Sequence, residues 1–444
     1  MQGIIRFALN NRLLVVALAL ATLVGGYFAY RTLPVDAYPD ISPALVQVFV
    51  ETEGLAPEEV EKYVTYPIES AMNGLPQLDH VRSISNFGLA VVNIYFEEGT
   101  DIYFARQLVG ERLQNARESI PGGFGEPVMG PITTGLGQIL FYVLEDTSGQ
   151  YSTTELREIQ DWIVKFNLQT VKGVTEVLSI GGEVKQFQVN VDPNALLRYD
   201  VSLPEIKERI EANNANAGAQ FIVKNDEEYI VRSVGLANDL DSLRNIVVKT
   251  IDGTPVYLHQ LGELEIGGEI RRGVTTKDGS GEVVVGMVLK LIGSNTSQVI
   301  GAVKQELEAI NANLPEGVEV QPYYDQATLV KAAVSTVINA LLQGIILVAL
   351  VLLVFMGGFR PSLVVALSIP FSVAFTFIAM KIFGISANLM SLGGLAIAIG
   401  MMVDGAVVVV ENVDRMLREA QRDESRLHIV MRACQSVARP ILFA

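Results

Sequence analysis

Hydrophobic residues are concentrated in four long runs near the two ends of the chain. The first run covers residues 13–29, and three more follow late, over residues 333–356, 362–383 and 388–410. A helix of about 20 apolar residues is long enough to cross the roughly 30 Å of hydrocarbon in a bilayer. The pattern therefore predicts four membrane-spanning helices, with a large polar region between the first and the second.

The polar region alternates between strand-like and helix-like periods. Its first part is predicted as strand, helix, strand, strand and helix, over residues 44–50, 57–73, 80–85, 90–96 and 101–117. A second part begins with the same kind of pattern and is completed much later, over residues 139–144, 153–168, 174–179, 282–291, 297–313 and 318–323. This order is typical of a split β-α-β unit. The sequence thus predicts two similar units, the second of them interrupted by an insertion.

The insertion, about residues 182–272, has elements of its own. A strand over residues 186–191 and a helix over 203–213 precede a hairpin with strands 220–224 and 229–234. Two similar units and an inserted module favour a binding or conduit architecture over a single catalytic cleft. The predicted fold class is therefore an α+β membrane protein, with polytopic transmembrane helices and a large domain of split β-α-β subdomains.

Three clusters of positively charged residues next to the predicted spans all fall on one side of the membrane. They precede the first span, separate the second from the third, and follow the fourth, at Arg6, Arg12, Arg360, Arg415, Arg418, Arg422 and Arg426. Lys and Arg mark the cytoplasmic side of membrane proteins. We therefore expect the polar region to lie outside the cytoplasm, in a periplasm if the cell has two membranes.

The composition excludes several classes of function. Half of the residues are hydrophobic, 18% are charged and the net charge is −16, with no basic stripe to bind nucleic acid. The single Cys434 excludes an intrachain disulfide, and one Cys with three His argues against a Cys/His zinc site. The sequence has no phosphate-binding glycine loop with a Lys and no nucleophile elbow. We expect neither an enzyme nor a bound cofactor.

Asp404 is the residue most in need of an explanation, because it lies inside the fourth apolar run. A charged side chain at that depth costs a few kcal/mol, so it usually faces a helix bundle or a water path and carries function. Measured from Asn388, Asp404 is about 24 Å along the helix, so it lies far from the membrane surface at which the span begins. The alternative explanations of Asp404 are that it forms a hydrogen bond to a neighbouring helix, or that the span ends several residues before the predicted end. Glu411, nearly two turns on, falls on the same face and is expected nearer the inner headgroups.

Small and sulfur-containing residues accompany Asp404 in the same run. Gly393, Gly400 and Gly405 would let another helix approach closely around a protonatable site. Burial disfavours a charged carboxylate and a nearby cation favours it, so a balanced site can load and release protons. Met390, Met401 and Met402 offer thioethers, which are soft ligands for ions such as Cu(I). Their alternative role is ordinary packing.

The end of the chain predicts one more element. Residues 413–438 space apolar positions among many charges, as an amphipathic helix along the inner membrane surface would. Residues 439–444 resemble the beginning of a fifth apolar span. We therefore expect a fragment, or one half, of a longer transport system.

Together, several short motifs resemble those of resistance-nodulation-division (RND) transporters, most closely the heavy-metal efflux branch. The matching segments are Pro34-Val35-Asp36-Ala37-x-Pro39-Asp40, Val64-Thr65-Tyr66-Pro67, Asp161-Trp162, residues 388–394 and residues 404–412. The resemblance covers essentially the whole chain, as the N-terminal part of such a transporter.

The resemblance implies a domain organisation for the chain. Residues 1–30 would hold the cytoplasmic N-terminus and first span, 31–133 a first porter subdomain, and 134–181 with 273–330 a second. Residues 182–272 would form a docking subdomain with a protruding hairpin, and 331–412 the second to fourth spans. In such transporters the Asp aligned with Asp404 belongs to the proton relay, here with Glu411. The outer subdomains form the substrate path, in periplasmic space.

The resemblance also implies a setting and partners. The protein would be a homotrimer in contact with lipid in the bacterial inner membrane. It would be joined to a periplasmic adaptor and an outer-membrane channel, and would exchange protons for an exported substrate. No nucleic acid is expected.

The substrate is less sharply indicated. Drug-exporting relatives carry a second Asp where this chain has Gly405, which favours the metal branch. Copper- and silver-type members carry Met at the position of Val409, and zinc- and cobalt-type members carry Asp-Phe-Gly where this chain has residues 398–400. The metal therefore stays open. The alternatives are a small organic compound as substrate, or a non-transporting truncated scaffold.

Overall fold

The computed structural model describes residues 2–36, 39, 42–52, 54–216, 220–225, 227–231, 235–271, 273–279, 281–356, 359–420 and 424–443. Ala37 and Asp40 of the first motif, Arg422, and hairpin residues 232–234 lie outside these ranges. Within them, two four-stranded sheets and an inserted module lie between the first membrane helix and the later ones.

The first unit is an antiparallel sheet covered by helices on one face. Its strands are Leu45–Glu51, Leu78–Asn86, Leu89–Phe96 and Pro127–Met129, in the spatial order second, third, first, fourth. Its helices are Ile102–Ser119 and a continuous helix made of Pro57–Val60, the π turn Glu61–Thr65 and Tyr66–Met72. Strand residues Val46, Val48 and Val50 are fully buried beneath these helices, so the alternate residues face away from them.

The second unit has the same strand order and the same antiparallel pairing. Its strands are Gln138–Asp146, Val174–Ile180, Val284–Lys290 and Val318–Asp325. Its helices are Thr296–Asn311 and a helix made of Thr153–Ile159, the π turn Gln160–Val164 and Lys165–Gln169. The capping box at Ser152 and Glu155 fixes the start of the helix that begins at Thr153. Both units therefore have the split β-α-β topology.

The inserted module joins the second and third strands of the second unit. Its strands are Lys185–Val191 paired with Gly262–Gly268, Val247–Ile251 paired with Thr254–Tyr257, and the hairpin Gln220–Lys224 with Glu227–Val231. Its helices are Pro193–Tyr199, Leu203–Asn213 and Leu240–Arg244. The module has a separate small core around Leu258 and Leu261, whereas the apolar hairpin side chains are exposed.

Three of the helices that the structure describes are long and apolar enough to cross a membrane: Arg12–Thr32, Phe359–Phe383 and Leu389–Glu419. A fourth helix, Gln326–Met356, covers the predicted second span and packs against the last two. Helix Arg12–Thr32 packs against Phe359–Phe383. The chain is therefore a membrane protein with a helical cluster at one side of the sheets.

The last part of the chain differs from the expected division at residues 413–438 and 439–444. Helix Leu389–Glu419 continues past residue 413, supported by the i,i+4 ion pair between Arg418 and Asp414, and a single helix Arg426–Phe443 then crosses position 439. This last helix buries Ile429 and Ala433 and packs back on its predecessor. A short helix, Gln2–Asn10, also packs against it and was absent from the sequence-based expectation.

The two membrane helices Arg12–Thr32 and Phe359–Phe383 approach closely at Gly26. A Cβ at this position would lie 2.5 Å from the Cα of Ala374. We expect Gly26→Ala to separate the two helices and to destabilise the protein by about 1–3 kcal/mol, because the contact is with backbone that cannot move aside. Thermal unfolding of the detergent-solubilised protein measures this loss. Gly25→Ala is the control, since it meets only the flexible end of Ile378, at 3.3 Å; equal stability of both variants would contradict the prediction.

Candidate functional site

The helix Leu389–Glu419 has one face packed inside the cluster. Leu392, Leu395, Ile399 and Val403 are buried together with residues of helix Phe359–Phe383. Their spacing of three and four residues forms a continuous stripe along one side. At the start of the helix, the Asn388 side chain accepts a hydrogen bond from Ser391 N at 2.9 Å, and Ser391 Oγ accepts one from Asn388 N at 2.9 Å. The helix is thus fixed at its N-terminal end.

Asp404 lies on a different side of this helix and is exposed within this chain. Among the described residues it has no hydrogen bond or ion pair. Glu411 is exposed on the same face, seven residues further along an uninterrupted helix. The structure therefore places both carboxylates on a surface that the other helices of this chain leave open.

The three glycines differ in their surroundings. A Cβ at Gly405 would lie 3.6 Å from Ile441 of the last helix, so this glycine borders a contact within the chain. Apart from the adjoining residues and backbone of the same helix, no described atom lies within 4 Å of a Cβ position at Gly393 or Gly400. Gly393 and Gly400 thus leave room for another helix to pack on the Asp404 side.

The methionines also separate into two groups. Met390 and Met401 are 69% and 68% exposed and, at 3.6 residues per turn, lie within about 60° of the Asp404 direction. Met402 is 50% exposed and lies about 160° away from that direction. The structure therefore brings Met390 and Met401 to the Asp404 face and leaves Met402 outside it.

Asn412 makes a contact that the sequence analysis missed. Its side-chain amide donates to Ala433 O at 2.8 Å and to Ser436 Oγ at 2.9 Å, while its Oδ1 accepts from Arg415 Nη2 at 2.9 Å. Asn412 thereby fixes the last helix beside the end of the Asp404 helix. The only signal in the sequence was an uncharged polar residue at the end of an apolar run, which does not identify its partner.

A cleft of about 1890 Å³ lies between the two sheet units. The strand residues Gln47, Phe49 and Glu51, which alternate with the buried valines, line one side, and Gln138 and Leu178 lie on the other. The lining is mixed, with acidic, basic, amide and apolar side chains. The cleft therefore offers both charged and apolar surface to a solute.

Arg106 is a cation at this cleft. Its Nη1 donates to Gly130 O at 2.7 Å, and burial lowers the pKa of its guanidinium. The cleft lining includes the thioether of Met129 as well. Within the described part of the chain, no group of three or more His, Cys, Asp or Glu is arranged to hold a metal ion.

The comparisons with known proteins agree with this architecture. A model of the AcrB/AcrD/AcrF family matches residues 4–444. The chain belongs to the AcrB/AcrD/AcrF family. The resemblance to RND transporters is thereby confirmed, and the family is one of transporters rather than enzymes.

Several relatives of this AcrB/AcrD/AcrF member carry names that refer to cation efflux. It is 43% identical over 457 residues to the cation efflux system protein CzcA of Alcaligenes sp. (strain CT14), a match that covers 100% of this chain and 42% of CzcA. It is 42% identical over 423 residues to the cation efflux system protein CusA of Escherichia coli (strain K12), covering 95% of this chain and 40% of CusA. A relative whose name states no substrate, protein HelA of Legionella pneumophila, is 43% identical over 455 residues, covering 100% of this chain and 43% of HelA.

A solved structure has the same fold. The crystal structure of a heavy metal efflux pump superposes with a TM-score of 0.87 at 38% sequence identity, covering 99% of this chain and 43% of that pump. The chain thus spans less than half the length of the relatives that it matches.

Proposed function

We propose that the chain is the N-terminal part of a proton-driven exporter of heavy-metal cations. The observation that carries the proposal is Asp404, a carboxylate that has no hydrogen bond or ion pair among the described residues and lies on the open face of an apolar membrane helix. Such a group is costly in lipid and is retained where it handles ions or protons. The names of the 42–43% identical relatives, which refer to cation efflux, and the similar solved structure of a heavy metal efflux pump support heavy-metal cations as the substrate.

The open face of the Asp404 helix is completed by a second membrane domain of the full-length protein. Gly393 and Gly400 allow a helix to approach there. Once covered, Asp404 loses hydration, which favours its protonated form, and a cation on the covering helix favours its charged form. Movement of that helix alternates the two conditions, so that Asp404 takes up a proton from one side and releases it to the other. Glu411, nearer the inner surface, passes protons to and from water.

The protein lies in the inner membrane, with the sheet units and the inserted module in the periplasm. The arginines at the ends of the helices support this orientation. The cleft between the two units is the substrate path, and the inserted module is the docking subdomain. A periplasmic adaptor and an outer-membrane channel continue the conduit.

The working unit is a homotrimer in which each hairpin reaches a neighbouring subunit. Phe221, Ile222, Val223 and Ile230 are 58–77% exposed on a two-stranded ribbon, which is marginally stable by itself. We expect deletion of residues 218–235 to lower the abundance of the trimer strongly, because the deletion removes the apolar surface that contacts the neighbouring subunit. Native mass spectrometry measures the change, and replacing the exposed Glu211 with Gln is the control. A trimer of undiminished abundance after the deletion would refute this role for the hairpin.

The proposed function is tested by reconstituting the complete transporter in liposomes with entrapped metal- and pH-sensitive dyes. Under an imposed pH gradient, we expect a soft or borderline cation, offered as Cu(I), Ag(I), Zn²⁺, Co²⁺ or Cd²⁺, to move together with counter-flowing protons. A second candidate substrate is a small organic compound, which the size of the cleft favours. Gradient-driven movement of an organic dye, with no transport of any of these metals, would reject the metal proposal.

A further inference from the structure

A buried ion pair lies where the second unit meets the membrane helices. Lys290, the last residue of strand Val284–Lys290, places its Nζ 3.1 Å from Asp36 Oδ1. The same carboxylate oxygen accepts a hydrogen bond from Thr296 Oγ1 at 2.5 Å, at the first residue of helix Thr296–Asn311. Lys290 also donates to Ser294 O at 3.1 Å. Asp36 therefore holds one strand end and one helix start of the second unit.

The surroundings of this pair restrict its movement. The side chains of Lys290 and Asp36 are only 9% and 22% exposed, and Thr296 is 1% exposed. A charge buried this far is strongly unfavourable when its partner is removed, which distinguishes the pair from solvated surface ion pairs.

Asp36 is connected through its backbone to the helix that carries Asp404. Asp36 N donates to Ala387 O at 3.2 Å, and Ala387 N donates to Pro34 O at 2.9 Å. Ala387 directly precedes Asn388, the residue that caps helix Leu389–Glu419. The path from the second unit to the start of this helix thus consists of the ion pair and the Thr296 hydrogen bond at Asp36, followed by two backbone hydrogen bonds to Ala387.

The second unit has another attachment to the membrane helices, and it is covalent. Strand Val318–Asp325 continues directly into helix Gln326–Met356. The unit is consequently held by helix Gln326–Met356 at this strand end and, through Asp36, by the segment that joins the end of helix Arg12–Thr32 to the start of helix Leu389–Glu419. A displacement of this helix relative to that segment must tilt or strain the unit, and with it the cleft that its sheet lines.

From this geometry we infer that Asp36 and Lys290 are positioning residues that transmit movement of the Asp404 helix to the second sheet unit. The inference rests on the proposed proton-driven transport and adds the link between the membrane helices and the cleft.

The test uses the complete transporter with Asp36→Asn, Lys290→Met and the double variant. Each single variant is expected to lower the metal moved per proton by about tenfold or more, with trimer abundance and the KM for the metal unchanged. The double variant is expected to be no worse than the poorer single variant, since both remove the same link. Glu211→Gln, which breaks the exposed pair with Lys207, is the matched control and should change nothing. Unchanged metal per proton in both single variants, or losses that only follow trimer abundance, overturns the inference.

Hydrogen exchange gives a second readout that does not depend on transport. The amides of Asp36 and Ala387 are expected to exchange faster in both single variants and at the wild-type rate in Glu211→Gln. If the unmodified transporter moves no metal in response to a pH gradient, the proposed function fails, and the exchange rates still decide whether the link exists. Wild-type exchange at both amides in both variants overturns the inference in either case.

Discussion

Replacing Asp404 with Asn in the complete transporter is expected to abolish transport driven by a pH gradient. Asn has nearly the same size and can make similar hydrogen bonds, but it cannot exchange a proton at any physiological pH. Because loss of an essential proton-transfer group typically lowers a rate by about a hundredfold or more, we expect transport close to background. The measurement is metal movement into proteoliposomes under an imposed gradient, with proton movement followed in the same vesicles.

Two variants separate the proton-carrying role from a packing role. Asp404→Glu keeps an exchangeable proton and should retain part of the transport, whereas a purely steric site would tolerate Asn better than the longer Glu. Glu411→Gln should have a smaller effect than Asp404→Asn, because we expect Glu411 to lie nearer the inner surface, where water can replace it. Full transport by Asp404→Asn at normal protein levels would show that the proton is carried elsewhere.

The periodicity of the sequence predicted elements whose hydrophobic pattern is strong. Strand Leu45–Glu51 was predicted at residues 44–50, because Val46, Val48 and Val50 recur with the period of two that places them on one face of a strand, against the helices. The short strand Pro127–Met129 was missed, since three residues have no measurable period and are held only by pairing with Leu45–Glu51. The helix ending at Glu419 was divided too early, because charges after residue 410 changed the composition without breaking the helix.

The candidate site was predictable only as far as it lies on one helix. The common face of Asp404, Glu411, Met390 and Met401 follows from their spacing, because a helix fixes the direction of each side chain. The contact between Asp36 and Lys290 joins residues 254 positions apart, and no local pattern reports such a contact. Its traces in the sequence were Asp36 within the first motif and a lysine at the end of the apolar strand Val284–Lys290, with nothing to connect the two.

The role of the methionines has a control built into the same helix. If a soft cation passes along the Asp404 face, replacing Met390 and Met401 together with Leu should lower metal tolerance by about tenfold, the change that ~1.4 kcal/mol of lost ligand interaction produces. Leu preserves volume and apolarity, so the cost to folding should stay below about 1.5 kcal/mol. Metal tolerance of cells that carry the complete transport system is the measurement, with protein abundance determined in parallel.

Met402→Leu is the matched control, because Met402 lies about 160° around the helix from Asp404 and should leave tolerance unchanged. Met390 lies about 21 Å along the helix from Asp404 and Met401 only about 4.5 Å, so the two single variants should differ. A cation that shares its path with the proton is affected most by Met401, since its thioether is next to the carboxylate, whereas a cation that only enters at the outer end depends on Met390. Full tolerance in the double variant would mean that both residues only pack and that the metal reaches its exit through the cleft between the sheet units.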